Sequence, residues 1–307
     1  MLSKFKKKTI GIPRGLSYYE HGSVWEAFFK ELGFDVAVSN ITNIDILNKG
    51  VIYCTNDTCL PVKVFHGHIL ALKDKTDYIF VPRYSSISKN EYCCPKLCGL
   101  PDMVSFNLKD DLNIFEIKIN ANATKETYES LKNVSKLLGV NYQNVLNAFE
   151  NIVKKHFEGK DKELKAVPLI KKKIAVLGHP YMIYDEYLSM NLIEKLTKQG
   201  YYAYTPKNIQ SSLKKSSAYP YNGVVKTFFS DGLDNLGSAF SLLDYSDISG
   251  IIYLTPFACG VDSLVIEFIE RGLKGRFDVP LMKLTVDEHT GEAGFDTRLE
   301  AFLDMIV

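Results

Sequence analysis

"KKTIGIPRGLSYYEHGSVWEAFFKELGFDVAVS", Lys7 to Ser39, reads as strand, loop, helix, tight turn and strand. Val24, Trp25, Phe28, Phe29 and Leu32 recur at helical spacing, and Gly33 supplies the stop that a left-handed C-terminal residue needs. The plan recurs in "KKKIAVLGHPYMIYDEYLSMNLIEKLTKQGYYAYTP", Lys171 to Pro206. There Ile174 to Leu177 forms a buried strand. Met190, Ile193, Leu196 and Thr197 share a helix face, and Gly200 ends the helix.

Both halves continue alike. "YIFVPRYSS" (Tyr78 to Ser86) and "GIIYLTPFACG" (Gly250 to Gly260) are continuous apolar strands that meet a proline and open into a loop. Such strands alternating with amphipathic helices require helices on both faces of a parallel sheet. The expected fold is therefore α/β: two Rossmann-like, doubly wound parallel-sheet domains with an interdomain cleft. The N-terminal domain is expected over residues 1–119 and the C-terminal domain over 169–307. A helical connector over 120–168 joins them. It contains "KETYESLKNVSKLLG", with Tyr128, Leu131, Val134 and Leu138 on one face, and "NYQNVLNAFENIVKKHF", with Val145, Phe149, Ile152 and His156. These ordinary apolar faces read as packing against a domain.

The bulk properties exclude several classes. With 307 residues and 46% hydrophobic content, the chain can bury a sizeable core. A formal net charge of +1 offers no basic field for nucleic acid or an anionic membrane. No apolar run approaches the roughly 18 residues of a membrane span, and the basic start lacks a signal-peptide core. A cytoplasmic protein is expected, in which thiols stay reduced.

Three of the six cysteines, Cys93, Cys94 and Cys98, crowd into "EYCCPKLCGLPDM", Glu91 to Met103. The others are Cys54, Cys59 and Cys259. In "GVIYCTNDTCLPVKVFHGHILALK" a strand to Tyr53 is expected, then a polar loop and a helix beginning near Leu60. Cys59 then stands at a helix N-terminus, where the dipole favours the thiolate that ligates metals. Cys94 and Cys98 fall in the loop after the Tyr78–Val81 strand, and Cys259 follows the strand Ile251–Leu254. Open α/β sheets bind ligands outside the carboxyl ends of their strands, so thiols from these loops can meet in the cleft. Disulfide, zinc, iron–sulfur cluster and plain burial remain the alternatives at this level. No C-x-x-C pair is present, and neither a dinucleotide fingerprint nor a P-loop occurs. Cys54 reads as a small buried hydrophobe and Cys93 as a neighbour of Cys94. His66 and His68 diverge on their helix, and His68 reads either as a solvated or core histidine or as a group beside a cluster. The polar segment Asp287 to Arg298 reads equally as a functional loop or as the dressing of the last helix.

Five segments carry a resemblance from about Thr9 to Phe302: "DTCLPVKVFHGHI", "YCCPKLCGLPDMV", "GHPYMIYDEYLSMNLI", "TPFACGVDSLV" and "DEHTGEAGFDTRLEAF". The chain resembles the superfamily of 2-hydroxyacyl-CoA dehydratases and double-cubane-cluster proteins, including the acyl-CoA dehydratase activase-related proteins of anaerobes. The resemblance implies Rossmann-like domains holding an iron–sulfur cluster between them. It also implies electrons delivered by an ATP-dependent activase-type reductase of actin/Hsp70-like fold. Carried over by motif, the metal ligands are Cys59, Cys94 and Cys259, with Cys98 in reserve. Three thiolates imply one 4Fe–4S cluster rather than a double cubane. A second copy or a related subunit completes the implied set of partners. The segment around Phe228 departs from the aromatic stretch typical of the group, and no segment is assignable to CoA. The reading is an iron–sulfur redox protein acting on a small molecule. The alternative is a non-redox binding or scaffold protein with structural or zinc-binding cysteines. Whether the chain is an enzyme is not fixed by these residues.

Overall fold

The computed structural model describes residues 7–109, 112–158, 172–217, 229–245, 247–274 and 278–306. The chain divides into two compact units, Met1–Gly159 and Lys160–Val307. The boundary expected between residues 168 and 169, and the stretch Val224 to Phe228, lie outside the described residues.

The first unit contains strands β1 (Thr9–Ile12), β2 (Asp35–Val38), β3 (Tyr78–Phe80), β4 (Arg83–Ser86), β5 (Ile114–Phe115) and β6 (Lys118–Asn120). Its main sheet has the order β2-β1-β3-β5, parallel throughout. The second unit contains β7 (Lys173–Leu177), β8 (Tyr202–Tyr204), β9 (Gly250–Pro256) and β10 (Leu281–Val286), in the parallel order β10-β9-β7-β8. Counted along the chain, each main sheet runs second, first, third, fourth. The connections leave the first strand of each sheet in opposite directions. With right-handed crossovers this puts helices on both faces, as expected for a doubly wound α/β fold.

The helix-stop reading holds in both halves. Gly33 has φ +87° and Gly200 φ +85°; Phe34 N–H then bonds Phe29 O, and Tyr201 N–H bonds Leu196 O. The first helix spans Tyr18–Glu31 and buries Trp25, Phe28 and Phe29, with Trp25 and Phe29 against Phe80 and Phe29 also against Phe115. Trp25 also donates a 2.7 Å hydrogen bond to the buried Tyr84 hydroxyl, which satisfies the indole N–H inside the core.

Three local readings change. The strand expected up to Tyr53 is a helix, Ile44–Ile52, capped by Asn43, whose side chain accepts from Ile46 N–H. It packs against the Leu60–Leu72 helix at backbone distance: a Cβ built on Gly50 would stand 1.8 Å from Lys63 O, and one on Gly67 1.8 Å from Ile46 O. The two glycines make a helical hairpin possible where the apolar run alone reads as a strand. The second-half helix starts at Leu192, beyond Met190, because Met190 and Asn191 hold φ of 50° and 56°. It buries Leu192 and Leu196, while Thr197 is exposed and bonds Ile193 O. The loop after Phe80 carries an additional strand. Pro82 interrupts the main sheet, and β4 pairs with β6 in a small parallel sheet of its own.

The helices Thr124–Leu138 and Tyr142–Ala148 belong to the first unit. Leu131, Val134 and Val145 are buried there. Among the described residues no helix is long and apolar enough to cross a membrane.

Candidate functional site

Cys59, Cys94 and Cys259, the cysteines singled out by motif, each stand at the N-cap of a helix. Cys59 precedes Leu60–Leu72, Cys94 precedes the single turn Pro95–Cys98, and Cys259 precedes Gly260–Leu273. Pro61 and Pro95 fit the first turns of their helices because the missing N–H has no partner to lose there. Cys59 follows the helical hairpin rather than a strand. Cys94 follows β4, and Cys259 follows β9. All three are partly exposed.

In the first unit the two thiol-bearing segments lie near each other. Burial pushes the Cys54 thiol up to about 11, with the ammonium groups of Lys63 and Lys96 pulling the other way. Lys96 sits on the turn that Cys94 caps, so the Cys54–Cys59 loop and that turn are within electrostatic reach. The raised value keeps Cys54 a neutral thiol. Cys93 is buried, and its N–H bonds Ser85 O. Cys98 Sγ lies 3.2 Å from Ser85 Oγ, and Arg83 fixes this turn by donating to Cys98 O and to both carboxylate oxygens of Asp102.

The histidines of the Leu60–Leu72 helix are structural. His66 Nδ1 donates to Val62 O at 2.8 Å, and Nε2 accepts from Asn107. His68 lies between Ser39 Oγ and Thr42 Oγ1 at 3.0 Å each. Burial, with Arg14 nearby, brings its pKa down to about 3 and keeps it neutral. After β10, Asp287 accepts from Thr290 Oγ1 and His289 N–H in a tight turn. Glu292 and Asp296 pair with Lys195, and Arg298 donates to Lys283 O. Glu292 and Arg298 therefore dress the last helix.

The second unit assembles a denser site. His179 follows β7 and Cys259 follows β9, the neighbouring strands between which the strand order reverses. Ligands of doubly wound sheets bind at this switch point. Gly178, with φ +137°, lets the end of β7 approach β9: a Cβ there would lie 2.3 Å from Leu254 O. Ala258 adopts φ 64°, a left-handed conformation that an L-residue pays for, immediately before Cys259.

His179 is 1% exposed and its ring stacks on Tyr181, with centroids 4.8 Å apart. Nε2 lies 3.2 Å from Asp262 Oδ1 and 3.6 Å from Cys259 Sγ. Nδ1 lies 3.2 Å from Asp231 Oδ2 without an aligned hydrogen bond, so this contact is electrostatic. Asp262, also 1% exposed, accepts from Tyr253 OH on Oδ1 at 2.8 Å and from Thr255 Oγ1 on Oδ2 at 2.9 Å. Its N–H reaches Cys259 Sγ at 3.5 Å. Burial opposes charge on His179, but the Asp262 carboxylate and the contacts with Asp231 and Cys259 raise it well above its ordinary value. Burial likewise opposes charge on Asp262, and His179 with the two hydroxyls holds its carboxyl below the usual range.

His179, Asp231 and Asp262 were assigned no role from the sequence. Gly178-His179-Pro180, placed after a buried strand as Cys259 is placed after its sister strand, is the signal that points to the histidine. Asp231 and Asp262 have no comparable signal.

Residues 9–209, more than half of the 307-residue chain, match the family described as CoA enzyme activase uncharacterised domain (DUF2229). The chain belongs to that family. No curated protein matches it. The activase-domain match takes in Cys59, Cys94 and His179, and it ends before Asp231, Cys259 and Asp262.

Proposed function

We propose that this CoA enzyme activase-related protein binds an iron–sulfur cluster through Cys59, Cys94 and Cys259 and acts as a redox component. In this reading it is related to 2-hydroxyacyl-CoA dehydratase components and takes low-potential electrons from an ATP-dependent, activase-type reductase. It works in the cytoplasm, with a second copy or a related subunit as a further partner. The observation carrying the proposal is that the three cysteines matched by motif are each helix N-caps. At such a position the first backbone N–H groups of the helix can reach the sulfur, as that of Asp262 does at Cys259. Cys54, outside this set, is held as a neutral thiol.

The donor chemistry fits the group, because cysteine thiolates are the usual ligands of such clusters. When bound, the cluster supplies one-electron chemistry. The chain's own contribution is to orient the sulfurs through N–H groups such as that of Asp262 on Cys259. Arg83 holds the Cys94 turn in place through Cys98 O and Asp102.

Purification without oxygen tests the proposal. Iron and acid-labile sulfide in equal amounts, with a visible absorbance that bleaches when the pre-reduced ATP-dependent reductase and MgATP are added, are the expected result. Colourless protein free of sulfide after anaerobic reconstitution would overturn it.

A further inference from the structure

The surroundings of Cys259 go beyond the cluster reading. We infer that the second unit binds a single divalent first-row transition-metal ion of the zinc or ferrous type through His179 Nε2, Cys259 Sγ and the Asp262 carboxylate.

Distances carry the inference. Ligand atoms about 2.0–2.3 Å from one tetrahedral ion stand about 3.3–3.6 Å from each other. Nε2 and Sγ are 3.6 Å apart, Nε2 and Oδ1 are 3.2 Å apart, and the three ligand atoms all lie within 4.8 Å of one another. A thiolate and an imidazole at this spacing form one edge of a single ion's shell. Ligands on two different irons of a cubane would stand farther apart.

The surrounding groups match what a metal needs around its ligands. A ligating histidine usually donates its other ring N–H to a carboxylate or carbonyl, and Asp231 Oδ2 stands 3.2 Å from Nδ1, a charge contact that a small rotation of the carboxylate would align. A ligating carboxylate is itself hydrogen-bonded, and Tyr253 and Thr255 do this for Asp262. The mixed nitrogen, sulfur and oxygen set suits a borderline ion. Three protein ligands leave a fourth position open. Cys259 is partly exposed, so the thiol edge of the site is open to solvent. An open fourth position on such an ion is where water or a substrate oxygen binds.

All the residues involved come from the second unit, and Cys59 and Cys94 take no part. The inference does not rest on the cluster reading: the two make different demands on the same thiolate.

Cobalt(II) titration of the full-length protein, stripped with a chelator under anoxic conditions, separates them. The expected result is one cobalt per chain, with a thiolate-to-cobalt charge-transfer band and the visible bands of a tetrahedral ion. Both should persist in the Cys59→Ser/Cys94→Ser double variant. Cys259→Ser should lose the charge-transfer band, and Asp231→Asn should weaken affinity about 10–100-fold at unchanged stoichiometry. Far-UV circular dichroism checks that each variant is folded. His179→Gln tests the ring directly and should abolish the tetrahedral spectrum; retention of that spectrum in folded His179→Gln overturns the inference. Loss of cobalt from the double variant also overturns it. No cobalt binding by the wild type sinks this site without touching the iron and sulfide result. Cobalt binding by a protein that never takes up sulfide refutes the cluster reading and leaves this site standing.

Discussion

His68 shows how one residue is read twice. Two positions after His66 on an apolar helix, it is compatible with solvent, core or a site. In the structure it is 0% exposed and bonded on both ring nitrogens by hydroxyls. Its folded pKa of about 3 lies below the ordinary 6.5. The unfolded chain therefore takes up a proton at a pH where the folded one does not. The stability it contributes is present above pH 6.5 and is lost as pH falls toward 3. Between pH 7 and pH 5 the loss from this group amounts to about 2 kcal/mol. His68→Gln should flatten that acid limb. Trp25, the only tryptophan of the chain, is buried in the first unit and reports its unfolding by fluorescence in urea. An unchanged pH dependence in the variant would show that His68 is not the group that titrates.

At the scale of elements, close backbone contacts decide what the apolar pattern leaves open. Val51 to Tyr53 looks like the end of a strand, yet Ile52 is 78% exposed at the end of a helix whose Gly50 meets its neighbour. Gly67→Ala would press a methyl group into Ile46 O, and overpacking of this kind costs about 3 kcal/mol. The urea midpoint by Trp25 fluorescence should fall accordingly; a shift of a few tenths of a kcal/mol would mean that the hairpin opens without strain. Gly178→Ala meets Leu254 O in the same way and also carries an unfavourable φ. It should lower the thermal midpoint measured by circular dichroism. It should also shift His179 away from Cys259, so its cobalt affinity should fall more than that of Gly67→Ala.

At the scale of the whole molecule, iron per chain across the cysteine variants ranks the ligands. Under the cluster reading, Cys259→Ser and Cys94→Ser should lose the iron after anaerobic reconstitution, while Cys54→Ser and Cys98→Ser keep most of it. Iron loss from Cys98→Ser equal to that from Cys259→Ser would make Cys98 a ligand rather than a reserve. Full iron in Cys259→Ser would confine the metal of the first unit to its own thiols.

Pattern was enough for the sheets and for the helix stops at Gly33 and Gly200. Continuous apolar runs that alternate with amphipathic helices point to strands buried on both faces of a parallel sheet, and a left-handed C-terminal residue is a local matter. The motifs also singled out Cys59, Cys94 and Cys259, the set on which the proposed cluster rests. The sequence could not supply the strand order, on which the meeting of His179 and Cys259 depends. These residues are 80 positions apart, and only the pairing of β7 with β9 brings their loops side by side. Asp231 and Asp262 are ordinary acidic residues at helix starts until packing buries Asp262 and aims both at one ring. Long-range pairing and burial are properties of the packed chain, and that is why the tertiary structure alone decided this site.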